Sequence, residues 1–270
     1  MTDAYVLAPD QWPAMPAIHR EFLVRALPKL QADQRLEGVA AGGSFVSGVL
    51  DEQSDLDLVV VAVGERASEV LREATDLVRG LGSLLAAFPG DHVGELRLLI
   101  CLFGPPLLHV DFKFLSTTEL SHRVEDPVVL WDRRGRVHAA LSTSTAVYPS
   151  PRFQWMEDRF WVWAHYTATK ITRGELFEAI DALTFVRARV LGPLVLAEAG
   201  AQPNGVRRLE ERAPREMASL RRTIAAHDRA SCRDALLATV DLYTALRERG
   251  AATVVRRGDA EREVRDFLRM

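Results

Sequence analysis

The chain has 270 residues, 48% of them apolar and 26% charged, with a net charge of −3 and two cysteines. That size allows one or two domains with ample core, in an ordinary globular composition. It excludes a disulfide framework or Cys/His zinc module, a run near the ~20 apolar residues of a membrane span, and the basic balance of a nucleic-acid-binding surface. Met1-Thr2-Asp3-Ala4 has neither a basic start nor an apolar core, so no secretory leader is expected and a reducing cytoplasm is the default. Residues 1–150 hold 13 basic and 20 acidic side chains, a balance of −7, and residues 151–270 hold 21 and 17, a balance of +4. Lysine occurs only at Lys29, Lys113 and Lys170, against 31 arginines.

In chain order, residues 11–30 read as a helix with Ile18, Phe22, Leu23 and Leu27 on one side and Pro28 near its end. Leu36 to Ala41 is a short apolar strand running into Gly42-Gly43-Ser44, and a second strand ends near Val63. Residues 66–81 have helical spacing, closed by Gly82, and Pro89-Gly90-Asp91 marks a loop. Strands follow at 95–103 and 107–115, joined through the Gly104-Pro105-Pro106 turn. Ser116 to Glu119 has capping-box character, and 127–132 reads as a last strand. Pro149-Ser150-Pro151 lies at the end of a polar stretch and divides the chain into domains at 1–148 and 149–270. Beyond it only helices are expected, at 153–172, 175–199, 214–227, 231–249 and 260–269, with Gly192-Pro193 kinking or dividing the second of them.

Chemistry concentrates in Gly42-Gly43-Ser44 and in the strand that begins Ser54-Asp55-Leu56-Asp57-Leu58. Alternate residues of a strand share a face, so Asp55 and Asp57 point the same way. Like charges held that close repel, a bound cation removes the cost, and hard carboxylate oxygens suit Mg²⁺. A helix starting at Ser44 would offer its N-terminal N–H groups, with those of the glycine turn, to an anion. A phosphate cradle beside paired aspartates is equipment for chemistry on a nucleoside triphosphate. On the 107–115 strand, His109, Asp111 and Lys113 face away from Val110, Phe112 and Phe114, and a carboxylate in so apolar a strand needs a partner. His109 reads as packed beside that strand.

Gly43-Ser44, then Gly48, then Asp55-Leu56-Asp57 resembles the signature of the polymerase-β-like nucleotidyltransferase superfamily. Small members often carry Arg before the second glycine, where this chain has Ser47. The resemblance implies an α+β fold: a nucleotidyltransferase-type mixed sheet with flanking helices, followed by an all-α helical bundle. It also implies a third metal-binding carboxylate on a later strand, carried over to Asp111. The layout resembles the aminoglycoside and lincosamide nucleotidyltransferases, which move AMP from ATP onto a hydroxyl of a small antibiotic.

The expected activity is therefore Mg²⁺-dependent transfer of a nucleoside monophosphate from ATP to a small-molecule hydroxyl, with pyrophosphate leaving. Asp55, Asp57 and Asp111 would hold the metal and carry catalysis. Gly42, Gly43, Ser44 and Ser54 would bind the nucleotide. Asp111 is the expected base, with Glu175 and Glu178 as competitors. Trp155, Arg159, Tyr166, Lys170 and Arg173 fall on one stripe of the first bundle helix, apart from the apolar stripe of Phe153, Met156, Phe160, Ala164 and Ile171. Two aromatics and three cations there would suit a triphosphate, so Lys170, Tyr166 and Arg159 join the nucleotide-binding candidates. Phe160, Trp161 and Trp163 read as bundle core, and the Arg207-Arg208 and Arg221-Arg222 pairs as solvated faces. The alternatives are a non-catalytic nucleotide-binding or antitoxin-type regulator on the same fold, and an enzyme that nucleotidylates protein.

Overall fold

The computed structural model describes residues 4–250 and 253–269. The chain divides after Val147 into two compact units. The first is built on seven strands: β1 (Tyr5–Val6), β2 (Leu36–Ala41), β3 (Leu56–Ala62), β4 (Leu84–Gly90), β5 (Glu95–Phe103), β6 (Leu108–Ser116) and β7 (Val128–Asp132). Their order across the sheet is β1-β7-β2-β3-β6-β5-β4. β3 and β6 pair in parallel, while β2–β3, β2–β7, β5–β6 and β4–β5 are antiparallel. The fold is thus α+β with a mixed sheet, followed by a unit whose described elements are all helices.

The two faces of this sheet are covered unequally. Helices α1 (Ala17–Ala32), α3 (Ala67–Arg72) and α4 (Ala74–Arg79) lie on one face. There Phe22, Leu23, Val70 and Val78 pack with Leu56, Leu58, Val60, Val110, Phe112 and Phe114 in one core. Each such side chain contributes roughly 1.5–3 kcal/mol on burial. On the other face, α5 (Thr117–Leu120) and α6 (Arg136–Ser142) cover one corner through Val61, Leu115, Leu120, Val129 and Val137. The alternation of β3 and β6 therefore puts Leu56, Leu58, Val110 and Phe112 into the main core and turns Asp57 and Asp111 to the part of the second face left open.

Several boundaries differ from the sequence reading. The first helix begins at Ala17, after Pro13 and Pro16, and a separate 3₁₀ turn spans Pro9–Gln11. It continues past Pro28 to Ala32, because Pro28 and Val24 lie on its exposed side, where water can serve the Val24 carbonyl that Pro28 cannot. The 66–81 helix is broken at Glu73. The loop at Pro89-Gly90-Asp91 overlaps the end of β4, an edge strand whose Ala86, Ala87 and Pro89 carry little strand propensity. α6 and the two-residue β1 were not foreseen.

In the second unit, α7 (Phe153–Arg173), α8 (Leu176–Val186), α9 (Gly192–Glu198), α12 (Arg229–Gly250) and α13 (Gly258–Arg269) surround a core holding Met156, Phe160, Trp161, Leu183, Leu236 and Tyr243. Trp163 packs only partly buried against that core. Glu157 is buried and accepts from the Tyr243 hydroxyl at 2.6 Å and Arg247 Nη1 at 3.1 Å. The expected 175–199 helix is divided at Gly192-Pro193, where α9 begins, and ahead of that point it widens into a π-turn over Arg187–Leu191. A Cβ on Gly192 would stand 2.2 Å from the Gly205 carbonyl oxygen, so the glycine admits a neighbouring loop. The helix expected at 214–227 is a 3₁₀ turn plus the short α11 (Met217–Arg222), and α10 (Leu209–Arg212) precedes it. Among the described residues, no helix is long and apolar enough to cross a membrane.

Candidate functional site

Asp57 and Asp111 are direct register partners on the parallel pair β3–β6. Asp55 lies just ahead of β3, two residues before Asp57. One carboxylate oxygen from each of Asp55, Asp57 and Asp111 falls within 4.8 Å of the others, and all three residues are partly buried. Carboxylates that close repel, and a hard divalent cation among their oxygens would offset the repulsion. His109, half-exposed on the same face, sits 2.8 Å from Asp111 Oδ1 through Nε2, so it touches the site as well as packing beside the strand. Behind Asp111, burial above all, and then the Asp111 charge, push the Cys101 thiol up to about 12, which makes it inert.

The glycine turn lies against the triad. Gly42 donates its N–H to the Asp57 carbonyl at 2.9 Å. Gly43 has φ +57° and ψ −132°, a conformation open to glycine, and caps the four-residue helix α2 (Ser44–Ser47). Gly48, left-handed, closes that helix. The Gly43 N–H donates to Glu125 Oε1 at 2.6 Å. A carboxylate thus stands at a donor that the sequence reading offers to a phosphate. Glu125 was not singled out in the sequence, because it lies in an irregular stretch 82 residues downstream with no periodicity to mark its direction.

A second unforeseen residue is His19. It is wholly buried in α1, and its Nε2 donates to the Ser54 carbonyl at 2.8 Å, while Nδ1 has no partner among the described residues. His19 thereby fixes the backbone that leads into Asp55. The Ser54 side chain serves the same turn: its hydroxyl donates to Asp51 Oδ1 at 2.9 Å and accepts from the Asp51 N–H at 3.0 Å. The Ser54 hydroxyl is therefore placed in the Asp51 loop. Further along β6, Lys113 pairs with Glu95 at 3.0 Å.

The remaining candidates belong to the helical unit, where four of them form one cluster. Lys170 Nζ donates to Glu175 Oε2 at 2.6 Å and lies 5.0 Å from the Tyr166 ring centre, and the Tyr166 hydroxyl donates to Glu178. The hydrogen bond from Lys170, with the charge of nearby Arg173, holds the Glu175 carboxyl below its ordinary range. Arg159 sits apart from these, over the Trp155 ring at 4.6 Å.

Residues 23–99 match the nucleotidyltransferase domain family. The polymerase-β-like resemblance carried by Gly43-Ser44 and Asp55-Leu56-Asp57 stands on that match, which ends before Asp111. No curated protein matches the chain. Among solved structures, an aminoglycoside 6-adenyltransferase from Bacillus subtilis is 14% identical, over 92% of this chain and 96% of that one, with a TM-score of 0.41. A nucleotidyltransferase-like protein from Exiguobacterium sibiricum 255-15 is 13% identical, over 83% of this chain and 74% of that one, also at 0.41. Likeness at that level says nothing of what this chain acts on.

Proposed function

From a nucleotidyltransferase domain in which three carboxylates converge, we propose that the protein transfers a nucleoside monophosphate, AMP from ATP, to a hydroxyl of a small molecule. The observation that carries this is the convergence of Asp55, Asp57 and Asp111 within 4.8 Å, beside a glycine turn that lies inside the family match. All-oxygen donors suit Mg²⁺, which Asp55, Asp57 and Asp111 would hold. Bound there, Mg²⁺ supplies charge neutralisation for the triphosphate and acidifies the acceptor hydroxyl.

The chain's own residues do the rest. The N–H groups of Gly43 and Ser44 bind the β- and γ-phosphates once the Glu125 carboxylate has withdrawn from Gly43. Asp111 accepts the proton of the attacking hydroxyl. Lys170, with Tyr166 and Arg159, is the helical unit's proposed contribution to nucleotide binding, and Glu175 or Glu178 is the competing base. In phosphoryl-group chemistry of this kind, positioning and electrostatics supply most of the rate.

The test has two parts. A thermal-shift panel of nucleoside triphosphates, with and without Mg²⁺, should give a Mg²⁺-dependent rise in Tm for ATP, since a ligand that binds only the native state stabilises it. Pyrophosphate release should then follow on adding an acceptor from a panel of hydroxyl compounds that includes an aminoglycoside. If no triphosphate shifts Tm, the reading falls.

A further inference from the structure

The open face of the sheet changes character along one transverse row. Gly42 is bonded to Asp57, Asp57 is in register with Asp111, Asp111 with Ile100, and Ile100 with Phe88. Laterally paired side chains share a face, so Asp57, Asp111, Ile100 and Phe88 all project to the side that α5 and α6 leave open. Neighbouring rows repeat the pattern: His109 pairs with Leu102 and Lys113 with Leu98. The alternate residues Leu99, Cys101 and Phe103 go into the main core on the opposite face. Phe88 nevertheless remains 49% exposed and Leu102 37%. The carboxylates are thus flanked by the glycine turn on one side and by a hydrocarbon floor on the other. A cluster of apolar side chains left exposed beside a polar site calls for an occupant.

The direction of the reaction identifies that occupant. In a displacement at phosphorus, the attacking and leaving oxygens stand on opposite sides of the phosphorus atom. With pyrophosphate leaving toward Gly43 and Ser44, the acceptor hydroxyl arrives from the Asp111 side, over β5 and β4. The transfer forms one bond from the acceptor oxygen to the α-phosphorus and breaks the bond from that phosphorus to the pyrophosphate oxygen. The hydroxyl proton passes to the Asp111 carboxylate. The side chains of the floor itself are hydrocarbon, and they favour an acceptor that can bury apolar surface against Ile100 and Phe88, which a sugar covered with hydrated ammonium groups cannot supply.

We propose, resting on the nucleotidyl-transfer reading above, that Phe88, Leu98, Ile100 and Leu102 form the acceptor subsite and take the uncharged, apolar body of a hydroxyl compound. The acceptor class is then a neutral amphiphilic alcohol or glycoside, and a polycationic sugar is disfavoured.

The experiment uses the full chain with Mg²⁺ and α,β-methylene-ATP, which cannot transfer. Binding of octyl glucoside (kept below its micelle concentration), of glucose and of kanamycin is measured by calorimetry. Octyl glucoside should bind at least roughly tenfold more tightly than glucose and than kanamycin. The double variant Ile100→Ser, Phe88→Ser should lose that preference while nucleotide affinity stays within about twofold. Phe177→Ser, a control 79% exposed in the helical unit, should change neither. Intact nucleotide binding with kanamycin preferred, or with octyl glucoside binding unaltered in the double variant, overturns the acceptor proposal alone. So does size-exclusion chromatography that shows a dimer in the wild type and a monomer in the double variant, since a second copy would then cover the floor. Failure of the wild type to bind the nucleotide overturns the underlying reading, and the proposal with it.

Discussion

Asp57 Oδ2 lies 2.1 Å from where a Cβ on Gly43 would stand. The turn and the carboxylate therefore occupy their positions only because residue 43 has no side chain, and its φ of +57° imposes the same requirement independently. Gly43→Ala should cost about 1–3 kcal/mol in stability and remove nucleotidyl transfer, since the turn must shift to clear Asp57. Urea unfolding and pyrophosphate release measure the two effects. A variant that keeps full activity would show that the turn does not cradle the substrate.

Asp55 lies within 4.8 Å of two other carboxylates, and if a ligand is what that arrangement serves, removing Asp55 should separate function from stability. Asp55→Asn is expected to lower turnover by at least roughly a hundredfold. In chelator its stability should equal or exceed that of the wild type, because the change relieves like-charge repulsion. A clear loss of stability in chelator would make Asp55 a structural residue.

How much of this was legible in the sequence depended on distance along the chain. The strand of Asp55 and Asp57 and the capped turn at Ser116 follow from local pattern, and both are found where the pattern puts them. The pairing of Asp57 with Asp111 is a tertiary fact, but alternation along β6 had already set Asp111 on the polar face. His19 and Glu125 reach the site across 35 and 82 residues, and no local period encodes either contact. β4 was hidden because its pairing with β5, rather than its own alanines and proline, makes it a strand. In the helical unit the cationic stripe was legible, but its partners were not. Lys170 is matched by Glu175 from the start of the following helix, which spacing along α7 could not reveal.

Acid stability should report on the group that holds Lys113. A hydrogen bond from Arg97 foremost, and then one from Lys113, holds the Glu95 carboxyl down at about 2, against an ordinary value of 4.5. A carboxyl lowered by folding stabilises the native state at pH above its unfolded value, and that contribution is lost as pH falls through the folded value. The window therefore runs from about 4.5 down to about 2. Because Arg97 and Lys113 are well exposed, the contribution is set at about 1 kcal/mol. Urea midpoints of wild type and Glu95→Gln should differ at pH 6 and converge across that window. A constant difference would locate the effect elsewhere.

The choice of general base can be decided by Glu175. Its carboxylate is bonded to Lys170 and lies 2.8 Å from Arg173, and a carboxyl lowered by such partners is a weak proton acceptor. Glu175→Gln should change kcat by less than about tenfold, while Asp111→Asn should lower it by at least roughly a hundredfold at saturating ATP. The reverse order would assign the proton to the helical unit.

Under the nucleotidyl-transfer proposal, Glu125 would distinguish a nucleotide-free turn from a loaded one. Its Oε1 accepts from the Gly43 N–H at 2.6 Å, and a Cβ on Gly42 would stand 2.9 Å from the same oxygen, so the carboxylate rests closely on the turn. A triphosphate that uses that N–H must displace an anion of its own sign, breaking a charge-assisted hydrogen bond before it forms one. Glu125→Gln keeps the shape and an acceptor oxygen but removes the charge. It should tighten Mg²⁺-ATP binding by about 1 kcal/mol, roughly fivefold, with little change in the stability of the free protein. Calorimetric titration of wild type and variant makes the comparison, and repeating it at high salt should shrink the difference as screening weakens the repulsion. Weaker binding in Glu125→Gln would mean that the carboxylate stays in place and helps hold the nucleotide or its metal, and Glu125 would then be a ligand of the site.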